Sequence, residues 1–157
     1  MKFIQIAGLS NTGKTILCQC LKARLESLST VSTVWTKSIR KQDFVGIYEI
    51  SDNRLLKPIY IAISSDGDVP WKVVSHLVCI RDACVNAHIA LDYLFFTSHS
   101  RFYDQRINDE LTQFNKRAKR FRFITSHVHD GDSKKSIIRQ KEFFLTYILN
   151  TIGISIL

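Results

Sequence analysis

Proline and glycine are scarce in this sequence, with two and six in 157 residues, and no apolar run approaches the roughly 20 residues that cross a bilayer. The first scarcity excludes collagen-like and low-complexity chains. The second removes a spanning helix, so no membrane partner is expected. Acid is also in deficit, since 14 Asp and Glu stand against 22 Lys and Arg, leaving a formal charge of +8. That imbalance favours nucleotides, nucleic acid or an acidic protein surface as partners, without choosing among them. Cysteine is limited to Cys18, Cys20, Cys79 and Cys84, whose spacings fit neither a zinc ribbon nor a CxxC redox pair. The opening residues, MKFIQIAGLSNTGKT, lack the pattern of a secretory signal. The expectation is a cytoplasmic protein with reduced, mostly buried thiols.

What remains is the composition of a globular protein, 45% hydrophobic and 23% charged, of a length that suits one domain over 1–157. KFIQIA (2–7) reads as a strand, and Leu17, Leu21, Leu25 and Leu28 mark a helix from 14 to about 29. DFVGIYEI (43–50) and KPIYIAISS (57–65) flank the polar turn 51–54 and read as an antiparallel hairpin. A helix over 71 to about 89 would turn Val74, Leu77, Val78, Val85 and Ile89 inward, with His88 on the same stripe as a core histidine. LDYLFFTS (91–98) reads as a buried strand, and Ile107, Leu111 and Phe114 mark an amphipathic helix within 102–119. FRFITSHV (121–128) is the next strand. Ser133 caps a final helix with Ile137, Ile138, Leu145, Ile148, Leu149 and Ile152 facing the core. The order β-α-β-β-α-β-α-β-α predicts an α/β fold with three layers, a mostly parallel, doubly wound sheet and one antiparallel hairpin strand.

Gly8-Leu9-Ser10-Asn11-Thr12-Gly13-Lys14-Thr15 satisfies G-x-x-x-x-G-K-[ST] between the first strand and the first helix. In such a loop the glycines permit a tight turn whose backbone N–H groups, those of Asn11 and Thr12 included, surround a phosphate at a helix N-terminus. Lys14 would reach the β and γ phosphates, and the Thr15 hydroxyl would ligate Mg²⁺. This motif resembles that of the P-loop NTPase superfamily. The resemblance implies a nucleoside triphosphate, ATP or GTP, lying with Mg²⁺ over the carboxyl ends of the central strands, held by Gly8, Asn11, Thr12, Gly13, Lys14 and Thr15.

Beyond the loop the resemblance divides. The hairpin is similar to that of Ras-like GTPases, in which its second strand leads to D-x-x-G. Here Ser64-Ser65-Asp66-Gly67-Asp68 places serine at the metal-linked position, leaving Asp66 or Asp68 to serve. Asp66 to Pro70 also resembles the D-G-x-P run of adenylate-kinase-like enzymes. The N-K-x-D guanine motif is replaced by Thr97-Ser98-His99-Ser100-Arg101, which favours ATP. Arg101 is a candidate to stabilise charge on a transferring phosphoryl group, or else a surface arginine paired with Asp104, Asp109 or Glu110. His99, His127 and His129 are expected at neighbouring strand ends, where they would touch nucleotide or a partner, or with Asp130 and Asp132 hold a second metal.

Lys116, Arg117, Lys119, Arg120 and Arg122 form one basic run, and Lys134, Lys135, Arg139 and Lys141 another. With no nucleic-acid motif, a solvated face is preferred to a nucleic-acid surface. Three functions fit: slow Mg-dependent ATP hydrolysis; γ-phosphoryl transfer to a small acceptor, with 101–106 as a lid; and a nucleotide-sensing subunit, in which loops 30–42 and 99–106 order on binding and dock a protein partner or a second copy. In the first two, Lys14, Asp66, Asp68 and Arg101 carry the chemistry.

Overall fold

Strands form where β-branched and aromatic residues run together, and their side chains divide with period two between two cores. A computed structural model describes residues 1–40, 42–67, 69–99, 104–125 and 132–154. Its elements are β1 (Lys2–Gly8), α1 (Lys14–Glu26), β2 (Val31–Arg40), β3 (Asp43–Ile50), β4 (Ile59–Ser64), α2 (Pro70–Asn86), β5 (Tyr93–His99), α3 (Gln105–Phe114), β6 (Lys119–Ile124) and α4 (Lys134–Ile152). The six strands form one sheet in the order β2-β3-β4-β5-β1-β6. β3 alone runs against the others, and β4, β5, β1 and β6 are mutually parallel. The architecture is therefore α/β with a mostly parallel sheet, as the alternation of elements predicts.

Helices α1 and α4 cover one face, over Ile4, Ile6, Tyr48, Ile61, Ile63 and Phe95. Helices α2 and α3 cover the other, over Phe3, Val45, Ile47, Ala62, Leu94 and Phe96. β1 lies between β5 and β6, and its KFIQIAG is largely buried, so the turn that follows emerges one strand in from the β6 edge of the sheet. Among the described residues no helix is long and apolar enough to cross a membrane.

Several boundaries and faces differ from the sequence expectation. The expected loop 30–42 contains β2, an edge strand hydrogen-bonded to β3 alone. Most of its side chains are exposed, so it carries no apolar alternation. α1 ends at Glu26 rather than 29. α2 turns Val73, His76, Leu77, Ile80 and Cys84 inward, whereas Val85 is exposed. His88 is not in the core: it is exposed just past the helix, at φ 53°. The helix expected within 102–119 is confined to α3, because Asn115 is extended and its Oδ1 accepts from Arg117 N at 2.8 Å to start the turn into β6. β6 begins at Lys119, two residues before the expected start. In α4 the Ser133 cap forms, accepting from Ser136 N at 3.2 Å, but Ile138 is exposed. The position Ile138 was expected to hold in the buried stripe falls to Lys141.

Candidate functional site

At the end of β1 the chain turns through Asn11 and Gly13, both in the left-handed region at φ 59° and 74°. The Thr12 hydroxyl donates to Leu9 O at 2.9 Å, closing the turn, and the Thr12 carbonyl accepts from Thr125 Oγ1 at 2.6 Å. Thr125 is anchored in turn by its N–H to Ala7 O, 2.9 Å. α1 starts directly after Gly13 with no side-chain cap and no acidic residue in its first turn. Side chains therefore leave its leading N–H groups, and the positive end of its dipole, to other acceptors.

Lys14 folds back over this turn rather than facing solvent. It is 5% exposed, and its ammonium donates to Gly8 O at 3.1 Å and Leu9 O at 2.7 Å. Thr15 Oγ1 stands 3.0 Å from Asp43 Oδ1 and 3.4 Å from Ser65 O. The antiparallel pairing explains why these groups meet, because the first residues of β3 lie beside the end of β4. Phe44 N donates to Ser65 Oγ at 2.7 Å and Ser65 N to Phe44 O at 3.0 Å. Thr97 Oγ1 donates to Ser65 O at 2.8 Å, tying in β5.

Asp66 is buried and paired with Lys72 Nζ at 3.3 Å, so the first turn of α2 fixes its carboxylate. Gly67 lies flat on β5, where a Cβ would stand 2.2 Å from the Thr97 carbonyl. A cleft of about 320 Å³ opens between these segments, with the loop 11–16 on one side, Asp43 and Ser65 to Gly67 on the other, and Ile137 of α4 at its rim. All the oxygens around Thr15 are hard donors, the type that Mg²⁺ takes. Among the described residues no three His, Cys, Asp or Glu side chains gather as a metal cage, so an ion here would need oxygens from a ligand or water.

The structure brings Gly8, Asn11, Thr12, Gly13, Lys14, Thr15 and Asp66 of the expected set together. Asp68 and Arg101 lie outside the described residues, as do His127, His129 and Asp130. His99 ends β5 in register with Gly8. β5 does not neighbour β6, because β1 separates them. Thr97 and Ser98, at the position of the absent guanine motif, are buried in the sheet, with Ser98 Oγ accepting from Gln5 Nε2 at 2.8 Å.

Three groups at the site escaped the sequence reading. Asp43 was legible in principle, since an antiparallel hairpin over 43–50 and 57–65 sets its first residue against its last. His76 lies beneath the cleft with Nδ1 3.4 Å from Ser64 Oγ. Burial pushes its pKa down, opposed by the Asp66 and Asp43 carboxylates. Lys141, expected on a solvated basic face, is 3% exposed. Its Cε would lie 2.6 Å from a Cβ on Gly13, and its Nζ is 3.3 Å from Thr125 Oγ1. Burial pushes its pKa down as well. No protein-family model matches the chain, and no curated protein matches it.

Proposed function

We propose that the protein binds a nucleoside triphosphate, preferentially ATP, as a small P-loop NTPase and hydrolyses it slowly. The observation that carries this reading is the join of an uncapped helix start, a twice left-handed turn and a buried lysine beside the Thr15–Asp43 pair. The phosphates of ATP would take the N–H groups of the turn and of the first turn of α1. Lys14 would exchange its carbonyl partners for β and γ phosphate oxygens, which are stronger partners for an ammonium. Thr15 and Asp43 would hold Mg²⁺, which when bound neutralises phosphate charge. Asp66, held by Lys72, would orient a water toward the γ phosphorus. That water's oxygen forms the new P–O bond as the bond to the diphosphate breaks, and its proton leaves with the phosphate or to solvent. Turnover is slow because the two carboxylates of the described cleft are already engaged, Asp43 with Thr15 and Asp66 with Lys72.

The test is chromatographic quantification of ATP, ADP and phosphate after incubation with Mg²⁺, for wild type and Lys14→Met. Methionine keeps the buried stem of Lys14 and removes its charge. Conversion of ATP to ADP with matching phosphate by wild type, lost in a variant that melts like wild type, is the expected result. Failure of wild type to bind ATP by calorimetry overturns the proposal. A phosphorylated acceptor in place of free phosphate would move it to the kinase reading.

A further inference from the structure

The net positive charge is not spread over the molecule. The segments 116–125 and 134–152 hold nine of the 22 Lys and Arg and one of the 14 Asp and Glu, so the rest of the chain carries thirteen of each. These two segments therefore account for the whole formal +8. The single acid, Glu142, is bonded to Arg24 of α1 at 2.6 Å. Of the nine bases only Lys141 is buried, and the other eight are exposed.

The two segments are adjacent. Among the described residues β6 is the last strand of the sheet and is paired only with β1. α4 packs on it through an aromatic cluster, with the ring centroids of Phe123 and Tyr147 6.2 Å apart and edge to face, and Phe144 stacked on Tyr147 at 6.3 Å. Residues four apart lie along one ridge of a helix. On α4 the ridge that ends at Tyr147 reads Lys135, Arg139, Phe143, Tyr147, and all four side chains are exposed, Phe143 by 81% and Tyr147 by 57%. Tyr147 lies beside Phe123 near the end of β6 and Lys141 beside Thr125 just past it, so the ridge continues beyond the strand for about 18 Å. Three of the eight exposed large hydrophobic residues described in the chain, Ile138, Phe143 and Tyr147, lie on α4. The others are scattered singly, which needs no explanation, whereas a cluster does.

Exposed rings among cations, with almost no acid, suit an extended anion that also offers flat apolar faces. A second copy of the chain would bring the same charge to the same place, and the two would repel. We infer that the β6–α4 edge binds an unpaired polynucleotide strand, with phosphates along Lys119, Lys134, Lys135 and Arg139 and bases stacked on Phe143 and Tyr147. This surface adjoins the rim of the cleft at Ile137, but none of its proposed contact residues lines the cleft, and the inference does not rest on the nucleotide-binding reading.

The experiment is fluorescence anisotropy with a labelled 20-nucleotide oligo(dT). Contact with four phosphates predicts that affinity falls about 50-fold between 50 and 200 mM salt, from a slope near −0.7 for each phosphate. Lys135→Ala with Arg139→Ala should make that slope shallower by about 1.4. Phe143→Ala should weaken binding by about 5- to 150-fold, the range for loss of one base-stacking ring. At 81% exposure this substitution leaves the core untouched. A 20-base-pair duplex should lose much less on the same change, since its bases are already stacked. Lys14→Met should bind the oligonucleotide as wild type does, which separates this result from failure of the ATP reading. Absence of binding at 50 mM salt overturns the inference, as does Phe143→Ala binding like wild type. A dimer seen by sedimentation and dissolved by Phe143→Ala, with no oligonucleotide bound, would overturn it in favour of a second copy.

Discussion

Gly67→Ala tests whether the cleft is built as described, because two glycines of this chain fail for different physical reasons. A Cβ on Gly67 would stand 2.2 Å from both the carbonyl carbon and oxygen of Thr97 and 2.5 Å from Ser98 N. These are main-chain atoms of β5, which is held by β4 on one side and β1 on the other, so β5 cannot recede. Ordinary contact begins near 3.4 Å. The segment 65–67 must therefore move by more than an ångström. Overpacking of this kind costs about 1–3 kcal/mol, and with backbone as the obstacle the upper end applies. For a domain of this size about 3 kcal/mol lowers Tm by about 6–12 °C. Gly153→Ala is the control. Gly153 sits at φ 76° with nothing within 4 Å of its Cβ position, so only left-handed strain of about 1–2 kcal/mol is added. The two variants separate further in activity. Displacing Ser65 and Asp66 by about 1 Å moves the groups facing Thr15, and such misplacement costs up to about 10²-fold in rate. Gly153→Ala should turn over ATP as wild type does. Urea denaturation and a phosphate-release assay read both effects. Equal stability of the two alanine variants would refute the packing argument, and wild-type turnover by Gly67→Ala would refute the placement of the site.

Asp43→Asn should remove the magnesium dependence of ATP binding, with at least about a tenfold loss of metal affinity and unchanged metal-free ATP affinity, read by calorimetry with and without Mg²⁺; an unaltered metal effect would assign the ion elsewhere. Tyr48→Phe should stabilise the fold by about 1 kcal/mol, because the Tyr48 hydroxyl is buried without a hydrogen-bond partner among the described residues; a lower urea midpoint would refute this. Burial pushes the Cys84 thiol up to about 11, and burial with Glu142 nearby pushes Cys20 up to about 12. At pH 8 iodoacetamide should therefore label the partly exposed Cys79 first, with Cys84 preceding Cys20 as pH rises, followed by mass spectrometry. Both pKa values lie above the ordinary 9.0, so the folded state holds the protons more tightly. Their contribution to stability is full below pH 9 and is lost between about pH 9 and 12.

Elements whose apolar residues have one period and one buried side were legible in the sequence. Leu17, Leu21 and Leu25 marked α1, and the runs at 2–7, 43–50 and 57–65 marked strands, because burial enforces their pattern. β2 escaped because an edge strand with most of its side chains exposed needs no alternation, and its partly buried Val31, Trp35 and Ile39 repeat at four, a spacing closer to a helix than to a strand. The inward face of α2 was misjudged because His76 and Cys84 occupy it and neither counts as apolar in a pattern search. The motif residues 8–15 were legible because they are contiguous. Asp43 required strand register, and Lys141 required knowledge that α4 crosses behind Gly13. Nothing in Arg139-Gln140-Lys141 distinguishes the buried cation from the exposed one, since only the direction of the helix face decides it.

The interior position of β1 has a consequence for synthesis. Residues 2–8 find their partners only in 93–99 and 119–124, and the turn they end in is backed by Thr125 and Lys141. A nascent chain emerging from the ribosome must therefore carry an unpaired, apolar KFIQIAG until residues 93–124 have been made. The hairpins of β2, β3 and β4 close locally, while β1, made before them, is seated only after they have formed. Any fragment ending before Lys141 would contain the whole GLSNTGKT sequence and still lack the support that shapes it.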